Sequence, residues 1–263
     1  GGKNPLLVLD DADVDRAAEG AVRACFSNAG QLCISVERVY VADRVYDAFV
    51  ERFLERVEAM RGEPTFDFGP DMGSLISGDQ VRRVEEHVDD ATSGGATVLT
   101  GGEHRPDLGP YFFEPTVLAD VRPTMRCHSE ETFGPLVSVH RCADDDEAVA
   151  RANDSVYGLN ASVFGRDLPR ARSVAGRLRA GTVNVNEAYT VAWGSIDAPM
   201  GGVGDSGLGR RHGVEGLLKY TEAQTIAVQR LHPVPPVSGR MPYDTFASGL
   251  TAALRLLRRI GRR

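Results

Sequence analysis

The strongest constraint on the fold of this chain is an alternation of short strand-like runs with helical segments. Runs with strand character are predicted at 5–9, 37–41, 97–99, 136–140, 160–164 and 182–186, with an extended stretch at 112–121. Segments with a helical period lie between them, at 14–26, 45–60, 79–93 and 169–178, with one more after the acidic cluster 144–146. Strands that alternate with helices of this length favour an α/β fold with a mostly parallel sheet.

The composition is that of an ordinary globular chain. Of its 263 residues, 42% are hydrophobic and 25% are charged, and the formal net charge is −7. An acidic surface of this kind argues against nucleic acid as a partner. The sequence has no run of about 18 apolar residues and no secretory pattern at its start, so we expect no membrane span and a cytoplasmic location.

The four cysteines are too far apart to indicate a disulfide framework or a zinc site. Cys25, Cys33, Cys127 and Cys142 include no C-x-x-C pair, and in a reducing cytosol they are expected to be free thiols. A small buried apolar group is the usual role of an isolated cysteine, and we assign it to Cys25, Cys127 and Cys142.

Cys33 differs because it follows a loop, 28–32, between a predicted helix and a predicted strand. A thiol is an effective nucleophile when it is exposed and placed beside backbone N–H groups that can hold a developing oxyanion. Gly30 permits the sharp turn that such a loop requires. The loop therefore makes Cys33 a candidate nucleophile.

Four sequence runs, in order, resemble motifs of the aldehyde dehydrogenases. GGKNP at 1–5 resembles the end of the family's glutamate motif, and FSNAGQLCI at 26–34 resembles its cysteine motif. EETFGP at 130–135 resembles the segment that contacts the cofactor, and APMGG at 198–202 with SGLGR at 206–210 resembles the C-terminal signature. The resemblance implies the aldehyde dehydrogenase catalytic domain, with NADP or NAD as cofactor and a small aldehyde as substrate.

In this family the cysteine forms a thiohemiacetal, a hydride passes to the nicotinamide, and water activated by a glutamate hydrolyses the thioester. The resemblance implies that Cys33 is the nucleophile and that its own N–H is one oxyanion donor. It implies that Glu131 binds the nicotinamide ribose and that Phe133 lies beside the nicotinamide ring. Gln80 and Arg83 are implied as further contacts of the same ribose.

A closer resemblance is to actinobacterial succinate-semialdehyde dehydrogenases of the NADP-preferring kind. It is carried by RACFSNAGQLCIS at 23–35, MGGVGDSG at 200–207 and LLKYTE at 217–222. Some of these enzymes bind the substrate carboxylate with an arginine six residues before the nucleophile and a serine near the C-terminal loop. Here Ser27 occupies the first position and Ser195 the second. Arg211 stands where many relatives have a second glutamate, so no proton relay is expected there.

The resemblance also predicts what lies outside this chain. The family's general base is a glutamate two residues before the position of Gly1, and the N-terminal Rossmann-type cofactor domain is expected to be missing. We therefore expect this chain alone to be inactive as a dehydrogenase. The similarity continues through the basic C-terminal helix, which suggests that this end is complete.

The predicted domain organisation has three parts. Residues 1–221 form the catalytic domain, 222–232 an oligomerisation strand, and 233–263 a Pro-rich linker followed by a basic amphipathic helix. In the family a strand such as 225–228 extends the sheet of a neighbouring subunit, which implies a homo-oligomer, a dimer or a tetramer. Three alternatives remain open: a non-catalytic module that keeps only the pairing surfaces, an aldehyde dehydrogenase with a different substrate preference, and a dehydrogenase that transfers the acyl group to coenzyme A.

Overall fold

A computed structural model describes residues 1–65, 67–228 and 241–261. The chain divides into two compact units, Gly1–Thr221 and Glu222–Arg263. This division coincides with the end predicted for the catalytic domain, and the assignment of roles to the parts stays a prediction. The predicted boundary at 232–233 lies outside the described residues.

The first unit is built on a seven-stranded sheet with the order β3-β4-β5-β2-β1-β6-β7. Its strands are β1 (Asn4–Val8), β2 (Val36–Ala42), β3 (Thr97–Thr100), β4 (Thr116–Ala119), β5 (Leu136–Cys142), β6 (Asn160–Phe164) and β7 (Thr182–Val185). Every pairing is parallel except that of the edge strand β3 with β4, which is antiparallel. The predicted α/β class with a mostly parallel sheet is confirmed.

Helices connect the strands and pack on the sheet. They are α1 (Val14–Phe26), α2 (Tyr46–Glu58), α3 (Gly78–Ser93), α4 (Arg126–Ser129), α5 (Asp145–Asn153), α6 (Leu168–Ala175), α7 (Thr190–Gly194) and α8 (Gly213–Leu218). The side chains of Asp13, Ser77, Asp144 and Asp167 cap four of them by accepting a hydrogen bond from a first-turn N–H. A short hairpin, β8 (Met200–Gly201) with β9 (Arg210–Arg211), was not predicted.

Two apolar cores lie on opposite faces of the sheet. Leu6 and Val8 of β1 belong to one core with α1, α2 and α3, whereas Leu7 belongs to the other with α5 and α6. Because neighbouring residues of a strand point to opposite faces, β1 is buried on both sides.

The strand predicted at 37–41 is present as β2, and it is buried over most of its length. Glu37 and Arg38 lie in its first half, and both are buried although they are charged. The Arg38 guanidinium donates to the carbonyl oxygens of Lys3 and Ala152, at 2.6 and 3.1 Å from Nη2. Buried charges need such partners, so β2 is a central strand with specific polar contacts.

The predicted C-terminal strand is not formed within the described chain. Residues 222–228 are assigned to no strand, so the oligomerisation strand stays a prediction. The predicted basic helix is present as α9 (Tyr243–Arg259). Among the described residues no helix has the length and apolar character needed to cross a membrane.

Candidate active site

The segments singled out from the sequence meet at the amino edge of the sheet, which is the end at which its parallel strands begin. Cys33 comes just before β2, the 131–133 segment just before β5, and Gly1 and Gly2 just before β1. These strands are parallel neighbours, so their amino ends lie side by side. In most open parallel sheets ligands bind at the carboxyl ends. Here the candidate site is at the opposite edge.

The loop before Cys33 has an unusual backbone. Asn28, Ala29 and Gly30 have successive positive φ angles of 54°, 54° and 70°. Left-handed backbone is costly for Ala29, and such strain is often found at functional sites. Gly30 is also required for space, because a Cβ there would lie 2.1 Å from the carbonyl oxygen of Gly134. The predicted tight loop is confirmed, and it packs directly against the end of the 131–133 segment.

Cys33 is the exposed thiol of the chain, whereas Cys25, Cys127 and Cys142 are buried. Burial raises the pKa of Cys25 well above its usual value and raises the pKa values of Cys127 and Cys142 to about 11. Within the described ranges the backbone N–H of Cys33 has no acceptor. An exposed thiol beside a free N–H is the arrangement that addition to a carbonyl group requires.

The loop is held in place by two buried asparagines. The Nδ2 of Asn4 donates to the carbonyl oxygens of Cys33 and Ser35, at 3.0 and 2.7 Å. Asn160 donates its backbone N–H to Asn4 Oδ1 and its Nδ2 to the carbonyl oxygen of Ile34. The backbone of residues 33–35, from the thiol onward, is thereby held by buried side chains.

Glu131 lies next to Cys33 across a single residue, Gly2. The backbone N–H of Gly2 donates to Glu131 Oε1 at 2.6 Å, and a Cβ on Gly2 would lie 2.7 Å from the carbonyl oxygen of Cys33. The other oxygen, Oε2, accepts no hydrogen bond from the part of the chain that the structure describes. Glu131 is half-buried, so this oxygen can accept a hydrogen bond from a hydroxyl group of a ligand.

The backbone of the 131–133 segment is held by a buried ion pair. Glu37 pairs with Lys3, and its carboxylate also accepts the N–H groups of Thr132 at 2.9 Å and of Phe133 at 3.0 Å. Phe133 is half-buried and has a positive φ of 55°. Glu37 therefore fixes the backbone from which the Phe133 ring and the neighbouring Glu131 side chain project.

Gln80 and Arg83, predicted to contact the ribose, hold this same backbone. The Nε2 of Gln80 donates to the carbonyl oxygens of Thr132 and Phe133, both at 2.8 Å, and Arg83 donates to that of Glu131 at 2.9 Å. Both donors of the Gln80 amide nitrogen are used in this way, so its position is that of a support for Glu131 and Phe133. A direct contact with a cofactor stays a prediction for both residues.

His87 contacts the 131–133 segment through the side chain of Thr132. It is fully buried, and its Nδ1 lies 3.0 Å from Thr132 Oγ1. Burial, together with the nearby charges of Lys3 and Arg126, lowers the pKa of His87 to about 4. The ring is therefore neutral at physiological pH, and its Nε2 has no hydrogen-bond partner among the described residues.

Ser195 lies at the end of α7, on the far side of the asparagine network. The carbonyl oxygen of Ala188, just before α7, accepts hydrogen bonds from Asn160 at 3.4 Å and from Asn184 at 3.1 Å. The Ser195 hydroxyl donates to the carbonyl oxygen of Val191 at 2.7 Å. The structure thus connects the α7 loop to the Cys33 loop through Asn160, which bonds to both.

The residues that support this site were not predicted from the sequence. Lys3, Asn4, Glu37, His87 and Asn160 are buried and polar, and they fix the backbone rather than face a ligand. Glu37 could have been recognised from the sequence, because a carboxylate within a central strand of a sheet is unusual. Asn4 and Asn160 could not have been recognised, because their partners are distant in the sequence.

Comparison with known proteins decides the family. The profile of the aldehyde dehydrogenase family matches residues 1–226. This chain belongs to that family. The resemblance of its motifs to aldehyde dehydrogenases is confirmed.

Similar curated proteins include several from mycobacteria. One from Mycobacterium ulcerans, provisionally named succinate-semialdehyde dehydrogenase (NADP+) 2, is 56% identical over 242 residues, which are 92% of this chain and 47% of that protein. A Mycobacterium tuberculosis protein with the same provisional name is 53% identical and is matched over 100% of this chain and 51% of its own length. The chain spans about half the length of the curated relatives it matches.

Solved structures agree on the fold. A betaine aldehyde dehydrogenase from Staphylococcus aureus in complex with NAD+ has a TM-score of 0.79 at 38% identity, covering 84% of this chain and 44% of that one. An NADP-dependent enzyme from E. coli has a TM-score of 0.79 at 40% identity, covering 84% of this chain and 45% of the other. The first unit therefore has the aldehyde dehydrogenase fold.

Proposed function

We propose that this chain is the cysteine-bearing half of a dehydrogenase that oxidises succinate semialdehyde, or a similar short aldehyde, with NADP or NAD. The observation that carries the proposal is Cys33, an exposed thiol whose own N–H is free and whose following backbone is held by Asn4 and Asn160. The similarity to proteins named succinate-semialdehyde dehydrogenases supports the choice of substrate. A cytoplasmic location is part of the same proposal.

The residues present fit the nicotinamide end of a dinucleotide. Glu131 Oε2 is an open acceptor suited to a ribose hydroxyl, and the half-buried ring of Phe133 offers an aromatic surface for the nicotinamide. Gln80, Arg83 and Glu37 would keep both groups in place by holding the backbone between them. When bound, the cofactor supplies the hydride acceptor for oxidation of the aldehyde.

Cys33 would act in its thiolate form. Its sulfur adds to the aldehyde carbon, a C–S bond forms, and the electron pair of the carbonyl moves to oxygen. The N–H of Cys33 donates a hydrogen bond to this oxyanion. Asn4 and Asn160 hold the carbonyl groups of Cys33 and Ile34, the two peptide groups that follow that N–H.

Selective labelling of the thiol tests the proposal. Iodoacetamide should alkylate Cys33 far faster than the three buried cysteines, and succinate semialdehyde should slow this reaction by occupying the sulfur. Peptide mass spectrometry measures both rates, and Cys142→Ser is the matched control that removes a buried thiol. Equal labelling of all four cysteines, or no protection by the aldehyde, would contradict the assignment of Cys33 as nucleophile.

A second function, association with another copy of the chain, is supported by a separate observation. Large apolar side chains are exposed from α8 onward: Val214, Leu217, Leu218, Tyr220, Ile226 and Val228. We propose that residues 225–228 add to the sheet of a second copy, giving a dimer or a tetramer, because an extended segment with apolar side chains suits such an addition. Analytical ultracentrifugation measures the mass, and Ile226→Asp should shift it towards the monomer. A monomeric wild-type chain would contradict this role.

A further inference from the structure

The helix α9 exposes its apolar side chains although it is strongly amphipathic. Within the described chain none of its 17 residues is buried. One face carries large apolar side chains at helical spacing, which we call the α9 stripe: Tyr243, Phe246, Leu250, Leu254 and Leu257. Tyr243 is 69% exposed and Leu254 57%. An apolar stripe of this width is normally covered, so we expect a partner for it.

The rest of the α9 surface is basic. Arg255, Arg258 and Arg259 lie in its second half, off the α9 stripe, and its one carboxylate, Asp244, lies in the first turn. The sequence continues with two more arginines at 262–263, although the chain as a whole has a formal net charge of −7. The helix dipole favours cations at this end, but it does not account for the exposed α9 stripe.

We propose that α9 lies in the plane of an anionic phospholipid surface, with the α9 stripe among the acyl chains and the arginines among the headgroup phosphates. A helix with one apolar and one basic face lies at this depth of a bilayer. Clusters of about four to eight basic residues on such a helix are the pattern that anionic headgroups attract. A helix in this position lies on the membrane and does not cross it.

A second copy of α9 is the rival partner for the stripe. Two of these helices packed in parallel would bring their arginines together, and two packed antiparallel would offer the three arginines of each only Asp244 of the other. A protein groove that covers the α9 stripe would leave Arg255 and Arg259 in solvent, on the opposite face. A lipid surface satisfies both faces, because long arginine side chains reach from the helix to the phosphates.

The test uses the full chain and two kinds of vesicle. Vesicles of phosphatidylcholine with about one third phosphatidylglycerol should carry the chain down on sedimentation, whereas vesicles of phosphatidylcholine alone should carry down little of it. Raising the salt from about 0.1 M to about 1 M should release the bound chain, because the screening length falls from about 10 Å to about 3 Å.

Substitutions on the two faces of α9 separate the apolar and the charged contributions. Leu254→Gln should weaken binding to the anionic vesicles by about tenfold, since one buried leucine is lost. Leu256→Gln is the matched control, because Leu256 lies outside the α9 stripe, and it should leave binding unchanged. Replacing Arg255, Arg258 and Arg259 together by Gln should weaken binding by about a hundredfold. Replacing the same three by Lys should preserve most of it.

Two further measurements identify the partner. Far-ultraviolet circular dichroism checks that each variant keeps its helix content, and the rate of iodoacetamide labelling at Cys33 checks that the first unit is folded. Equal binding to both kinds of vesicle, or equal losses for Leu254→Gln and Leu256→Gln, would overturn the proposal. If Leu254→Gln instead lowers the mass measured by ultracentrifugation without vesicles, the α9 stripe pairs with a second copy and the lipid surface is the wrong partner.

Discussion

The polar groups are satisfied differently at the two ends of the strands of the central sheet, its amino edge and its carboxyl edge. At the amino edge, buried amides and one buried carboxylate hold backbone groups, and an exposed thiol remains. At the carboxyl edge, Arg170 is surrounded by Asp10, Asp11 and Asp145, and its Nη2 lies 2.8 Å from Asp145 Oδ1. Charges at the carboxyl edge satisfy each other, whereas polar groups at the amino edge leave a reactive atom free.

This difference explains why the site is not where parallel sheets usually bind ligands. The carboxyl ends of β1, β5 and β6 are closed by one arginine and its acidic partners, and the N–H of Asp167 is already bound to Asp11. At the amino ends the backbone loops approach one another closely, as Gly30 and Gly134 do. Closely packed loops can present main-chain donors to a ligand, which an ion-pair cluster cannot.

The largest expected effect comes from removing the carboxylate at the amino edge. Glu37→Leu should lower the free energy of unfolding by about 3–5 kcal/mol, because it leaves the Lys3 ammonium buried without a partner. Urea unfolding followed by circular dichroism measures the loss. The double variant Lys3→Met/Glu37→Leu should recover part of it. A double variant as unstable as the single one would show that the pair is not the source of the effect.

An intermediate loss of folding stability is expected on acidification. The amino edge and the carboxyl edge should lose stability at different pH values. The pKa of His87 is lowered from 6.5 to about 4, so the unfolded chain takes up its proton first. Stability that is present above pH 6.5 should therefore fall by about 1–3 kcal/mol as the pH drops from 6.5 towards 4. The hydrogen bond from Arg170 lowers the pKa of Asp10 from 3.8, so the contribution of Asp10 is lost only below that value.

His87→Gln is the control for the pH effect. It should flatten the decline in stability between pH 6.5 and 4, with a remaining slope from His140, whose pKa burial lowers to about 3. Unfolding by urea at a series of pH values measures both proteins. Identical pH profiles would mean that His87 does not account for the acid sensitivity.

The smallest effect is expected at the carboxyl edge. Arg170→Ala should reduce the free energy of unfolding by about 1 kcal/mol, because the ion pairs it makes are partly exposed to solvent. The rate of iodoacetamide labelling at Cys33 should not change, since the two edges share no polar contact through Arg170. A clear change in that rate would show that the carboxyl edge also influences the thiol at the amino edge.

Much of the fold could be predicted because it depends on local patterns. The helix at 14–26 and the strand at 160–164 were predicted with the bounds that the structure has, since apolar periodicity and an Asp cap define them. Cys33 was recognised because its loop motif is continuous in sequence. The strand at 225–228 was not found, because a strand needs a partner and none is formed within the described chain.

The sequence alone determined the α/β class, the family motifs and the candidate nucleophile, since each depends on residues close together along the chain. Only the tertiary structure decided how the nucleophile is held. Asn4, Asn160 and Glu37 bind backbone groups up to 156 residues away, as Asn4 does at the N–H of Asn160, and no local pattern encodes such contacts. Cys33, recognised from its own loop, takes its setting from side chains that packing brings to the same edge of the sheet.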